Sequence, residues 1–236
     1  MTAPILITGG ATRLGLALAH AYLDREQPVV ITYRSERDTV SALRRRGAIA
    51  IAADFSTDQG IIAATETLVA ECPALTSIVH NASSWMDDPD GPAVLDTLAL
   101  MMRVHVAAPL YLTEALLPAL HRTEAPSVIH VSDHVATRGS DQHMAYAASK
   151  AAMLNLTKSQ AKKYAPTIRV NALCPALLEF REEDDAEYRV RAQQKSALGI
   201  VPGFQVAIDA ICYLQSNAYT TGTVLPLDGG RPLKMS

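Results

Sequence analysis

Short, uniformly apolar runs alternate along this chain with longer stretches of helical period, and that alternation leaves few folds open. The runs are Ile5–Thr8, Val29–Tyr33, Ala48–Ala53, Ser77–His80, Val128–Ser132, Ile168–Leu173 and Val224–Leu227. A strand with one wet face alternates apolar and polar residues, whereas strands apolar on both sides belong to a parallel sheet covered above and below. Parallel neighbours need a crossover of a dozen or more residues. The intervals here are long enough to hold helices, as the apolar spacing of Leu14, Leu18, Ala21 and Tyr22 illustrates. The expected fold is therefore α/β, a doubly wound parallel sheet of seven strands with helices on both faces, the Rossmann type. Residues 1–236 read as one domain, with no internal repeat, low-complexity tract or linker. Arg44-Arg45-Arg46 before Gly47 reads as the cationic last turn of a capped helix rather than as a binding patch.

Composition removes several classes of function. A formal net charge of −3 provides no field to attract nucleic acid. Cys72, Cys174 and Cys212 are far apart and odd in number, which suits reduced thiols in the cytoplasm. No apolar run approaches membrane-spanning length and the N-terminus enters a strand directly, so neither a membrane partner nor a secretory signal is expected. The seven histidines form no H-E-x-x-H and no Cys/His cluster, so no metal site is expected.

Thr8-Gly9-Gly10-Ala11-Thr12-Arg13-Leu14-Gly15 follows the first strand and opens the first helix. Glycines at such a turn let the backbone approach a pyrophosphate, and the helix N-terminus presents free N–H groups to it. At the end of the second strand, where an NAD enzyme places a carboxylate against the ribose 2′-hydroxyl, the chain has Tyr33-Arg34-Ser35. An arginine fork and a hydroxyl suit a 2′-phosphate, so NADP(H) is expected over NAD(H). Tyr146 and Lys150 are four apart and share one face of a helix. A phenol is a poor proton donor at neutral pH unless a fixed cation favours its ionised form; Lys150 is the candidate for that charge and for holding sugar hydroxyls.

Over nearly its whole length the sequence resembles the short-chain dehydrogenase/reductase family. The matching features are the Thr8–Gly15 turn, Asp54, Asn81-Ala82, Tyr146-x-x-x-Lys150, Pro175, Thr221-Gly222 and Asp228-Gly229-Gly230. The resemblance implies a cofactor lying against Gly9, Arg13 and Leu14, against Tyr33, Arg34 and Ser35, and against Asp54 and Phe55 at the adenine. It continues past Asn81, Ala82 and Ser83 to Tyr146, Lys150 and Pro175. It also implies a homo-oligomer, dimer or tetramer. The apolar faces of Met101–Leu120 and of the Tyr146 helix are candidates for that interface.

Three positions depart from the common pattern of the family. Arg13 replaces the third glycine of the turn; Asp133, thirteen residues before Tyr146, replaces the catalytic serine, with Ser132 one place out of register; His105 stands where an asparagine usually holds a water. The first two departures, and the run Asn81-Ala82-Ser83-Ser84-Trp85, resemble the pteridine reductase branch. That resemblance implies reduction of the C=N bond of a 7,8-dihydropterin by NADPH, with hydride at C6 and a proton at N5. Trp85 offers an aromatic face, Arg13 a donor fork for cofactor phosphate and pterin carbonyl, and Ser83 a partner for the amino-pyrimidine edge. Asp133, Tyr146 and Lys150 form the expected catalytic set, with the Asp133 pKa raised in a dry pocket so that it passes a proton.

Plainer roles exist for the same residues. A lone Trp is often a core residue, an Asp after a strand is often a cap, and no mechanism requires His134 or His143. The role of His105 is open. A general carbonyl or 3-oxoacyl reductase is the alternative chemistry, disfavoured by Asp133, Trp85 and Arg13. A non-catalytic NADP-binding sensor is the alternative class, disfavoured by the retained Tyr146 and Lys150. The segment of about 176–203, with its acidic run Glu182-Glu183-Asp184-Asp185, falls where ligand-covering loops sit, so the preferred pterin side chain is not legible.

Overall fold

All seven apolar runs become parallel strands of one sheet in the computed structural model, which describes residues 2–234. In chain order the elements are β1 (Ile5–Ile7), α1 (Arg13–Leu23), β2 (Val29–Tyr33), α2 (Asp38–Arg45), β3 (Ile49–Ala52), α3 (Asp58–Glu71) and β4 (Ser77–His80). The second half runs α4 (Ala93–Met102), α5 (Ala108–Leu120), β5 (Ser127–Val131), α6 (Val135–Arg138), α7 (Met144–Tyr164), β6 (Arg169–Pro175), α8 (Ala186–Gln193), α9 (Gln205–Ser216) and β7 (Val224–Leu227). The strand order β3-β2-β1-β4-β5-β6-β7 is the doubly wound one, and it reverses between β1 and β4. Ligands of open α/β sheets bind in the crevice at that reversal, beyond the carboxyl ends of the strands.

Alternate residues of each strand feed two separate cores, because successive side chains point to opposite faces. Leu6, Ile78 and Val128 pack with Leu68 of α3, Leu112 and Leu116 of α5, and Ala161 and Tyr164 of α7. Ile7, Val79 and Ile129 pack on the other face with Leu14 and Leu18 of α1, Leu43 of α2, and Ile208, Ile211 and Leu214 of α9. Each of these leucines, removed from water, contributes roughly 1.5–3 kcal/mol, which is why both faces of the strands had to be apolar.

The helix end before β3 is capped as expected. Gly47, at φ 91°, lets the N–H of Ala48 return to the carbonyl of Leu43. Arg44 pairs with Glu36 at 2.7 Å and donates to the Tyr33 hydroxyl at 2.8 Å. The acidic run starts a helix, with the Asp185 side chain accepting from the N–H of Tyr188 at 2.7 Å as the cap of α8.

One expectation needs correction. Residues Ala93–Leu120 run as a 28-residue helix, through a π-helical turn at Arg103–Ala107, and a stretch of it with a mean hydropathy of 1.4 meets the length and composition test for a membrane span. Its longest uncharged runs are short because Asp96, Arg103 and Glu114 lie within it. In the fold one side of this helix covers the sheet, with Met101, Leu112 and Leu116 fully buried, so it serves as a core helix.

Candidate active site

Beyond the carboxyl ends of β1, β4 and β5 lies a cleft of about 780 Å³. Its floor is the first turn. Thr8 and Asn81 lock that turn to the end of β4: the Thr8 hydroxyl accepts from the N–H groups of Asn81 and Ala82, both at 3.0 Å. In return the Asn81 side chain donates to the carbonyls of Thr8 and Gly9 at 3.0 and 3.1 Å. A Cβ on Gly9 would sit 2.8 Å from the Cα of Ala82, and one on Gly15 would sit 2.3 Å from the carbonyl of Gly9. Glycine is therefore required at both places for the turn to close. Thr12 caps α1 without a side-chain hydrogen bond, so the first N–H groups of the helix are left for an anion. That cradle fits a dinucleotide pyrophosphate.

Arg13 occupies the third glycine's place with φ 49°, a left-handed conformation that costs a side chain roughly 1–2 kcal/mol. Its guanidinium donates to the carbonyl of Glu179 at 2.8 Å and lies over the Phe204 ring, joining the first turn to the segment that covers the cleft. At one end Tyr33, Arg34, Ser35, Asp54 and Phe55 line the cleft, and so does Arg37, which the sequence reading missed. The Asp54 carboxylate accepts from the N–H of Ser56 at 3.0 Å, which holds its pKa below the ordinary value. Pro175 does not line the cleft. It ends β6, and its carbonyl accepts from the N–H of His134 at 3.0 Å, so the wall there is formed by Ala176 and Leu177 instead.

At the other end Asp133, Tyr146 and Lys150 come together. The Tyr146 hydroxyl donates to Asp133 Oδ2 at 3.0 Å. The second oxygen, Oδ1, accepts from the N–H of Val135 at 2.9 Å, so the capping role and the proton-handling position belong to one carboxylate. Lys150, fully buried, donates to the Val131 carbonyl at 2.9 Å with its ammonium 5.6 Å from the centre of the Tyr146 ring. Ser132, one place out of register, is buried and bonds to the carbonyl of Lys150, away from this chemistry.

Protonation differs from the expectation at two of the three groups. Burial opposes ionisation of Asp133. The contacts of its carboxylate with His134 and the N–H of Val135, helped by the charge of Lys150, outweigh that burial and hold its pKa below the ordinary carboxylate value rather than above it. Burial, the Asp133 charge and the hydrogen bond to it push Tyr146 well above an ordinary phenol, and Lys150 does not reverse this. Lys150 itself is lowered to about 8 by burial, against the pull of Asp133. The pair therefore holds one proton, carried on the phenol and aimed at the carboxylate.

His134, for which the sequence reading had no role, backs that carboxylate. Its Nδ1 lies 2.9 Å from Asp133 Oδ1, a close contact without good hydrogen-bond alignment. Arg231 donates to its Nε2 at 2.6 Å, so the ring proton sits on Nδ1 and faces the carboxylate. Only the fold brings Arg231 here, across 97 residues of chain.

Trp85 stands on the same cleft. Its indole is 51% exposed, so it is a wall and not a core residue. The His143 ring packs on it at 4.3 Å between centroids, and the Arg181 guanidinium lies 5.4 Å from the indole centre. Ser83 lines the cleft beside it.

The chain is similar to several known proteins. Residues 3–186 match the short chain dehydrogenase family. The chain is 51% identical over 232 residues to a dihydromonapterin reductase of Enterobacter sp. (strain 638), covering 98% of this chain and 97% of that protein. It is 46% identical over 233 residues to the dihydromonapterin reductase of Citrobacter koseri, covering 98% and 97%. A crystal structure of FolM, alternative dihydrofolate reductase 1 from Brucella suis in complex with NADP, superposes with a TM-score of 0.89 at 27% identity, covering 99% of this chain and 96% of that one. Both the sequence match and the shared architecture lead to one assignment: the chain belongs to the short chain dehydrogenase family.

Proposed function

We propose that this chain is an NADPH-dependent reductase of 7,8-dihydropterins, with 7,8-dihydromonapterin to tetrahydromonapterin as the principal reaction and dihydrofolate a weaker substrate. The observation that carries this reading is the 3.0 Å hydrogen bond from Tyr146 to Asp133 in the cleft that also exposes the indole of Trp85. A ketone reductase needs a neutral donor to polarise an oxygen, whereas reduction of a C=N bond needs a proton for a basic nitrogen beside a flat heterocycle. The relatives named dihydromonapterin reductase, at 51% and 46% identity, support the substrate, and the NADP complex of the Brucella neighbour supports the cofactor.

NADPH, when bound, would supply the hydride for C6, so N5 needs a proton from the protein. Tyr146 and Asp133 hold that proton between them. The Lys150 ammonium and the groups around Asp133 stabilise the anion left when it is given up. Trp85 stacks on the pterin, and Arg13 and Ser83 meet its polar edges. Arg34, with Ser35 and Arg37 near it, takes the 2′-phosphate.

The same reading makes the protein a cytoplasmic homo-oligomer, a dimer or tetramer. Its three cysteines are all unpaired. Leu95, Leu98, Leu110 and Tyr111 leave an exposed apolar side on α4 and α5 for a second copy. The deciding experiment is NADPH consumption with dihydromonapterin, dihydrobiopterin, dihydrofolate and a simple ketone ester side by side. Turnover of the ketone ester alone would replace the pterin reading with a general carbonyl reductase, and no turnover of any would favour a sensor.

A further inference from the structure

His105 is completely buried, in the π-helical turn between α4 and α5, and both of its ring nitrogens are engaged. π-turns insert one residue into a helix and so re-aim a side chain, which is why they recur at functional sites. The backbone N–H of Ser84 points at Nε2 from 3.3 Å. A backbone N–H can only donate, so Nε2 is an acceptor and the proton sits on Nδ1. The Ser83 hydroxyl, 2.8 Å from Nε2, then donates to it as well. On the far side Ser149 gives its own hydrogen to the carbonyl of Tyr146 at 2.7 Å, leaving its oxygen to accept from Nδ1 at 2.8 Å. The imidazole also meets the Tyr146 ring edge-on, with centroids 5.4 Å apart. Burial and the Lys150 charge lower its pKa to about 2, so this neutral form persists across working pH.

We propose that His105 is a positioning residue that ties the catalytic helix α7 to the loop presenting Trp85, one nitrogen holding each side. The two residues it holds, Ser83 and Ser84, directly precede Trp85. Beyond the indole the loop is fixed separately, by Asp88 accepting from the N–H groups of Met144 and Ala145 and by His143 Nδ1 at 3.1 Å from the Met86 carbonyl. His105 is thus the anchor on the near side, and it sets the indole relative to the Tyr146–Asp133 pair. An asparagine in its place is too short to reach Ser149 and Ser84 together. The consequence for turnover rests on the dihydropterin reading; the anchoring itself does not.

Trp85 is the only tryptophan, so tryptophan emission reports on this loop alone. His105→Asn keeps a donor for Ser149 and gives up the reach to Ser83 and Ser84, whereas His105→Gln extends an acceptor to them. With H105N, acrylamide quenching of Trp85 is expected to rise about twofold as the loop opens locally. KM for dihydromonapterin should rise about tenfold, the equivalent of one lost hydrogen bond, with NADPH affinity held. H105Q should recover most of both losses. A folded H105N with the quenching of the native protein overturns the proposal, and so does an H105Q as impaired as H105N. Should H105N fail to fold, Ser83→Ala removes one donor from the other end without touching the core, and unchanged quenching there is equally fatal. Quenching needs no substrate, so a native enzyme inert toward dihydropterins would defeat the functional reading and leave this test intact.

Discussion

Tyr146 donates its phenolic hydrogen to Asp133 across 3.0 Å, so the residue that replaces the family's serine is an acceptor charged by its surroundings and not a second hydroxyl. The pair shares a single proton, as two acidic groups at this distance must.

Breaking that pair should cost chemistry and spare cofactor binding. Asp133→Asn and Tyr146→Phe are each expected to lower kcat by about 10²–10⁴-fold, the usual worth of a positioned proton donor. The NADPH dissociation constant, read by fluorescence titration, should stay close to the native value. Full dihydropterin turnover by Asp133→Ser would show that the carboxylate is not needed.

Arg34→Asp tests the cofactor. Loss of a charge-assisted contact to a phosphate is worth roughly 1.5–3 kcal/mol, so NADPH affinity should fall about 10- to 100-fold while NADH affinity changes little. Equal losses for the two nucleotides would remove Arg34 from the 2′-phosphate site.

Rate against pH should show an alkaline limb in kcat/KM for NADPH, which reports groups of the free enzyme. Lys150 carries its charge below about 8 and loses it above, so the parameter should fall as pH rises through that value. Lys150→Met should abolish the limb along with most of the activity. No acid limb from Asp133 is expected through the ordinary carboxylate range, because its folded pKa is depressed and it stays ionised there.

Trp85→Ala should raise KM for dihydromonapterin about 3- to 10-fold, since an aromatic stack is worth roughly 0.5–1.5 kcal/mol beyond burial. Trp85→Phe should recover much of it. In the native protein, pterin binding should quench the tryptophan emission; emission indifferent to a saturating pterin would place the stack elsewhere.

The apolar runs from Ile5 to Leu227 were sufficient to derive a parallel sheet covered on both faces, because a strand's burial is written in its own residues. The first turn was legible for the same local reason: Gly9 and Gly15 mark places where a Cβ would strike the backbone or a neighbouring side chain. The thirteen-residue spacing from Asp133 to Tyr146 was readable as well. Their protonation was not, because it depends on burial and on groups delivered from elsewhere in the chain. The N–H groups around Asp133 lower a carboxyl that a dry pocket alone would raise. Arg231, far along the sequence, decides which nitrogen of His134 carries the proton. His105 makes the same point, since its hydrogen bonds span from the loop after β4 to the second turn of α7. Periodicity along the chain therefore determined which residues line the cleft's frame, whereas charge states and long-range hydrogen bonds, which depend on distance in space, were decided only when the sheet closed.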